Sequence, residues 1–338
     1  MRPRAAAKLM LFLFLSQLIW GFFASLHCHA QRLVQSEVNA LRKIGVRLGK
    51  QWNFTVEPCS GTFGWVEPSS DDYIAVNVTC GECNATPCHI TSIILKSQNL
   101  TGSLPDVFSD LTYLQVIDLS RNYLSGTIPT AWASLPLTTL SLLGNRISGS
   151  IPEKLSITLQ QLVLEDNQMH GPLPQSLGNL INLEKLHLSG NNFSGELPKS
   201  LGDLVNLTDF KIDGNPISGK IPAFIGNWIK VSKLKMFGTS LEGPFPYNFS
   251  ALAALTELMV SPLKGGDGKF PPLENMRNME RLILRNISLS GELPENIKNM
   301  KALKTLSRYG SPVGETIVSP FRVEGQGNLF RRFLSHRN

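Results

Sequence analysis

Apolar residues recur along the chain with two periods. From residue 93 onward the dominant pattern is Leu-x-Leu, a period of two that describes a short strand with one face turned inward. The stretch Leu114–Pro129 shows the whole unit in the form L-x2-L-x-L-x2-N-x-L-S-G-x-I-P. The unit returns at Leu137–Pro152, Leu159–Pro174, Leu183–Pro198 and Leu207–Pro222. Its asparagines, Asn122, Asn145, Asn167, Asn191 and Asn215, stand 23, 22, 24 and 24 residues apart. Weaker copies begin at Ile93, Val231, Leu255 and Met279, with Gln98, Thr239, Leu263 and Ile287 in the asparagine column. That makes nine full units. A tenth starts at Met300 and stops where Arg308 replaces the next inward leucine. Upstream, Val34, Val38, Leu41, Ile44 and Leu48 recur at intervals of three and four, which predicts an amphipathic helix.

Each position of the unit has a physical job. One coil cannot bury its leucines alone, but stacking buries them against the next coil, at about 4.8 Å per parallel strand. The asparagine sits where the chain leaves the strand, and its amide can bond backbone groups of its own turn and of the neighbouring coil. Gly126 and its equivalents Gly149, Gly171, Gly195, Gly219, Gly243 and Gly291 suit a close backbone approach that side chains would block. The predicted fold is an α/β repeat solenoid with short parallel strands on its concave face and a helical, disulfide-bonded N-terminal cap. Residues 1–30 read as a leader, 31–89 as the cap, 90–306 as the repeats and 307–338 as a non-repeat basic tail. The last coil, having no cap, is expected to fray.

Composition sharpens the compartment. Arg2, Arg4 and Lys8 precede the apolar run Leu9–Leu26, and Cys28 and Ala30 supply small residues at the −3 and −1 positions of a signal-peptide cleavage site. The 18-residue run would also fit an uncleaved anchor; its interruption by Ser16, Gln17 and Gly21 and its small-residue exit favour cleavage, leaving a mature chain with no membrane span. The net charge of +6 resides in the two ends, because residues 31–306 carry 24 basic and 24 acidic side chains. A neutral body excludes a nucleic-acid groove. Only 17% of residues are charged, against about 25% in an average globular chain. Eight Asn-x-Ser/Thr sequons, at Asn53, Asn77, Asn84, Asn99, Asn192, Asn206, Asn248 and Asn286, offer glycans as the alternative solubilising groups. Four cysteines remain after the leader: Cys59, Cys80, Cys83 and Cys88. In an oxidising compartment they read as two disulfides, with three connectivities open. A zinc site at Cys80, Cys83, Cys88 and His89 has the spacing of ligands but lacks a second cysteine pair. No metal or cofactor is expected.

The S-G-x-I-P extension resembles the plant-specific leucine-rich repeat of receptor-like kinases. Trp52 to Phe54, Pro58-Cys59, Asn77 to Cys80, Cys88 to Gly102 and Phe270 to Leu273 resemble the subgroup that carries a malectin-like domain after its repeats. The resemblance covers roughly residues 31–306. It implies an extracellular ligand-binding ectodomain of a receptor-like serine/threonine kinase, followed in the family by a malectin-like domain, one membrane span and a kinase. Its partners would be a peptide, a glycan or a co-receptor ectodomain, and its location the apoplast, or the plasma membrane for a full-length receptor. The sequence holds neither His-Arg-Asp nor Asp-Phe-Gly, so no enzyme activity is expected here, and the tail reads as a truncated gene product. The run from Gly265 to Lys269 has part of a phosphate-loop pattern but no leading glycine and no hydroxyl residue after the lysine; it reads as a loop in an irregular repeat. The alternative is a secreted leucine-rich-repeat inhibitor of wall-degrading enzymes, which shares this repeat.

Function in such a scaffold lies on outward strand residues. The column between the inward residues reads Ile94, Asp118, Ser141, Val163, His187, Lys211, Lys235, Met259 and Ile283. The next column reads Lys96, Ser120, Leu143, Glu165, Ser189, Asp213, Phe237, Ser261 and Arg285. His187, Lys211, Lys235, Asp213 and Phe237 are thereby expected to form a mixed patch for an acidic or carboxylate-bearing ligand or for a partner ectodomain.

Overall fold

The computed structural model describes residues 33–67, 71, 73–81, 87–261, 263, 265, 269–285 and 294–309. Outside them lie residues 1–32, which include the stretch read as a leader and Cys28, together with Cys83, Asn84, Asn286, Ile287, Gly291, most of the loop 262–268 and residues 310–338.

The repeats wind into a solenoid. Among the described residues its concave sheet has twelve strands, ten of them contributed by successive coils from Ile90–Lys96 to Thr305–Tyr309. All coil-to-coil pairs are parallel, as between Val116–Asp118 and Thr139–Ser141. The register keeps one residue type per column: Leu186 pairs with Leu162 on one side and Phe210 on the other. The second inward column, Leu119, Leu142, Leu164, Leu188 and Ile212, is buried throughout. Its backbone N–H groups donate to the next coil, Leu188 to Lys211 O at 2.8 Å and Ile212 to Lys235 O at 2.9 Å. The core is therefore one continuous apolar spine.

Two features of the outer side were not read from the pattern. Among the described residues, proline is the N-cap of a one-turn 3₁₀ helix in seven coils, as Pro198 (φ −63°, ψ 139°) is for Lys199–Asp203; its fixed φ suits this extended entry, and its carbonyl accepts the Leu201 N–H at 3.0 Å. The 22-residue coil that follows Asn145 has no such helix, because it is the shortest. The Ser-Gly segments form a second parallel sheet along the opposite flank, six-stranded among the described residues, from Ser125–Gly126 to Ser240–Glu242. The repeat glycines serve this turn chiefly by their backbone. Gly171 has φ +87°, and a Cβ there would meet nothing closer than 3.9 Å. Crowding adds to the demand at Gly149 (φ +78°), where a Cβ would come within 2.8 Å of Thr127.

The cap is built as the sequence predicts. Helix α1 (Gln35–Leu48) lays Leu41, Ile44 and Leu48 against the first coil and ends at Gly49, whose φ of +69° is the left-handed cap. Strands Val66–Glu67 and Ala75–Cys80 pair antiparallel and extend the concave sheet over its open end. Trp52 stacks on Trp65 at 5.3 Å, and Arg42 lies over Phe54 at 4.1 Å. The buried Glu37 ties helix to sheet, accepting the Ile90 N–H at 2.8 Å and facing His89 Nδ1 at 2.7 Å. Cys59 is bonded to Cys80, and Cys88 is also in a disulfide. The thiolate that a zinc site would need at Cys80 is thus consumed. At the other end, Thr305–Tyr309 pairs along its length with Arg281–Arg285, so the last strand runs three residues into the segment read as tail.

The asparagines form a ladder. Asn215, 1% exposed, donates from Nδ2 to Leu188 O of the preceding coil (2.9 Å) and to Ile212 O of its own (3.0 Å), while its Oδ1 accepts the Phe193 N–H at 3.0 Å. Asn122, Asn145, Asn167 and Asn191 repeat this arrangement. Thr239, next in the column, makes one bond, to Met236 O. Removing a ladder amide strands buried carbonyls and an N–H, each costing about 1–3 kcal/mol. Asn215→Ala is therefore expected to lose roughly 2–4 kcal/mol in urea unfolding, with hydrogen exchange accelerated first in the coils on either side of it. Thr239→Val should cost no more than about 1 kcal/mol.

Candidate functional site on the concave sheet

Parallel pairing brings the proposed residues together. His187, Lys211 and Lys235 face one another on adjacent strands, with Asp213 and Phe237 two positions further along theirs. Each of the three basic groups already has a carboxylate partner. His187 is 8% exposed and lies between two of them, Nδ1 at 3.2 Å from Glu165 Oε2 and Nε2 at 3.1 Å from Asp209 Oδ2. The second contact is a close ion pair without hydrogen-bond alignment. Lys211 Nζ reaches Glu165 Oε1 at 3.5 Å, and Lys235 Nζ reaches Glu257 Oε1 at 3.4 Å, which Arg281 also contacts at 3.0 Å. Asp213 accepts the Ser189 hydroxyl at 2.7 Å. Phe237 is half-buried.

The patch is consequently a matched network rather than an open basic surface. Asp209, Glu257 and Arg281 did not emerge from the two aligned columns because they stand in a third, two residues before the central one. That column reads Lys185, Asp209, Lys233, Glu257 and Arg281, alternating in sign over five neighbouring strands. Aligning it at the same 24-residue step would have shown the alternation. Toward the N-terminal end a smaller network joins Lys96 to Asp118 at 3.2 Å and Asp118 through Ser120 to Ser141. Toward the C-terminal end the central column turns apolar at Met259 and Ile283. Two clefts, of about 410 and 260 Å³, lie on the cap flank beside Lys43, Arg47 and Asp106 and on the outer side beside Leu155, Ile157 and Leu180. Neither includes a concave residue. The concave face is a platform, and platforms suit extended or macromolecular partners better than small enclosed ligands.

The network sets protonation. Burial works against charge on His187, but the carboxylates of Asp209 and Glu165 outweigh it and raise the imidazole above its ordinary 6.5. Burial likewise opposes ionisation of Glu165 and Asp209, and His187 with Lys211 overrides it, holding both carboxyls below their ordinary values of 4.5 and 3.8. Asp166 goes the other way: burial first, then Glu165 and Asp213, raises it. A raised histidine contributes stability that is complete below pH 6.5 and is lost as pH climbs through its folded value. The lowered carboxyls contribute stability present above their ordinary range and lost as pH falls through their folded values. The central coils should thus be most stable in the mildly acidic window between. An NMR titration is expected to place the His187 midpoint above 6.5, and His187→Gln should flatten the alkaline limb of the stability profile and also shrink its acid limb, since His187 is the main group holding Glu165 and Asp209 down.

Comparison with known proteins agrees with this architecture. Residues 88–147 and 182–204 match the leucine-rich repeat family. A probable leucine-rich-repeat receptor-like serine/threonine-protein kinase of Arabidopsis thaliana is 48% identical over 82% of this chain, which spans 28% of that relative. Among solved structures, the PEPR1–AtPEP1 complex superposes with a TM-score of 0.66 at 26% identity, over 82% of this chain and 42% of the other. The Arabidopsis receptor kinase HAESA ectodomain, solved with an extended IDA peptide hormone, superposes with a TM-score of 0.59 at 29% identity, over 66% and 37%. The chain spans less than a third of the curated relative and less than half of each solved one. With its solenoid, asparagine ladder and capped first coil, it is a leucine-rich-repeat protein homologous to the plant leucine-rich-repeat receptor-like serine/threonine kinases.

Proposed function

We propose that these residues form an extracellular recognition ectodomain of a receptor-like kinase, of the subgroup with a malectin-like domain, and that the concave platform around His187, Lys211, Lys235, Asp213 and Phe237 takes a peptide or a co-receptor ectodomain. The observation that carries this reading is the platform itself: a continuous sheet face on which side chains from at least five coils stand in register, with charge of both signs beside apolar Phe237 and Met259. Such a surface reads a ligand lying across the strands, one ligand position per coil. Because the basic groups are already matched by Glu165, Asp209 and Glu257, a ligand carboxylate gains by exchanging with one of these. The solvent-facing Asp166 favours a basic group nearby. The ligand suited to the surface is therefore a peptide carrying both signs of charge, a refinement of the acidic ligand that the His187/Lys211/Lys235 column alone suggests. The reading supports no catalytic step in this chain.

The test is to immobilise the secreted chain and probe it with the peptide fraction of plant extracellular fluid and with purified receptor ectodomains. The double variant Lys211→Glu/Lys235→Glu is expected to lose at least about tenfold in affinity, since truncating or reversing a matched charge at an interface costs about 2 kcal/mol or more. Its far-ultraviolet circular dichroism should be unchanged. Binding that persists undiminished in a folded double variant would move recognition off this patch. Inhibition of wall-degrading enzymes without peptide or ectodomain binding would place the chain with the inhibitors instead.

A further inference from the structure

Four coils expose an apolar residue at the same place. Ile157, Ile181, Val205 and Ile229 follow one another at intervals of 24 and are 70%, 56%, 48% and 59% exposed. Each stands on the turn that leads into its concave strand, one residue after a position that points into the core (Leu180, Leu204 and Trp228 in the last three). Constant strand register stacks them into a stripe along one flank. The equivalent residues in the coils on either side are Thr112, Pro136, Ala253, Arg277 and Lys301, which are small or polar. A contiguous apolar stripe on a protein surface calls for a cover.

The sequon Asn206-Leu207-Thr208 places a glycan acceptor in the middle of this stripe. Asn206 is half-buried between Val205 and the neighbouring coils. Its Nδ2 donates one hydrogen to Ile181 O at 3.0 Å, and its Oδ1 accepts from Lys230 Nζ at 2.8 Å. The carboxamide is thereby held between Ile181 of one neighbouring coil and Lys230 of the other, with the second Nδ2 hydrogen left for substitution. Two other sequons are placed differently: Asn77 and Asn248 each bury an Oδ1 that makes no hydrogen bond, and Asn248 packs against Gly226.

We infer that Asn206 carries an N-linked glycan whose first sugar lies over Ile181, Val205 and Ile229 and shields them. The sugar's C–H face and acetyl methyl supply the apolar contact, and its hydroxyls face water. In the modification a bond forms between Asn206 Nδ2 and C1 of the first N-acetylglucosamine of a lipid-pyrophosphate-linked oligosaccharide. The C1–O bond of that donor breaks, the lipid pyrophosphate leaves with the electron pair, and the displaced amide proton passes to a base. The remaining N–H still bonds Ile181 O. This inference rests on the extracellular reading above, since only a chain that enters the secretory route meets the donor.

The full chain secreted from plant cells would be analysed by glycopeptide mass spectrometry. The expected result is a glycan on Asn206 as well as on Asn53, Asn99 and Asn192, whose side chains are exposed. Loss of the glycan in Asn206→Gln, and separately in Thr208→Ala, which keeps the Asn206 contacts, should raise the binding of an apolar fluorescent dye and the aggregated fraction severalfold. Adding Ile181→Thr, Val205→Thr and Ile229→Thr should return both to the starting level. A bare Asn206 beside modified Asn53, Asn99 and Asn192 would overturn the inference and leave the extracellular reading standing. Bare asparagines at all four positions would overturn both. A folded Thr208→Ala variant with unchanged dye binding would sink the shielding role.

Discussion

The structure depends on how the backbone leaves each concave strand. At that point the chain turns out of the sheet with carbonyls directed toward a dry interior, and an unpaired buried carbonyl is costly. In five successive coils an asparagine resolves this by donating both to its own turn and to the coil before it, as Asn191 does to Leu188 O and Leu164 O. The same side chain accepts the backbone N–H of the preceding coil's outer segment, at Met169 in this case. Hydrophobic stacking supplies most of the driving force, but it is indifferent to small slips between coils. The ladder is directional and sets the register, and register is what aligns the outward columns.

Because register is uniform, the concave face behaves as a grid, and chemistry on it is decided by neighbours across strands rather than along the chain. Glu165 and Asp209 are 22 residues from His187 on either side in sequence, yet both lie within 3.2 Å of it. The network leaves the platform near electrical balance, with charge fixed in place and ready to be exchanged with a partner's groups rather than simply neutralised by them. The flank carries the complementary lesson. The same 24-residue step that builds a core also stacks any outward isoleucine into a stripe, so a repeat protein must manage its surface as a periodic object too.

Much of the fold was legible in the chain. The leucine and asparagine periods named the solenoid, the ladder and the strand columns. The three- and four-residue spacing from Val34 to Leu48 named the capping helix. The second sheet and the 3₁₀ helices were less legible, because Ser-Gly and Pro segments have no apolar period of their own and take their conformation from the coil next door. The grouping of His187, Lys211 and Lys235 was visible from two aligned columns, whereas Asp209, Glu257 and Arg281 stood in a third that carried no leucine to draw attention to it.

The sequence by itself determined what repeats and what is buried, since burial of leucine at fixed intervals admits one economical solution. It also determined which side chains face outward. Only the tertiary structure decided which outward groups are paired, which sequons have room beside them, and that Cys80 closes on Cys59. Those outcomes depend on distances of 3–4 Å between residues two dozen positions apart, and such distances exist only once the coils have stacked.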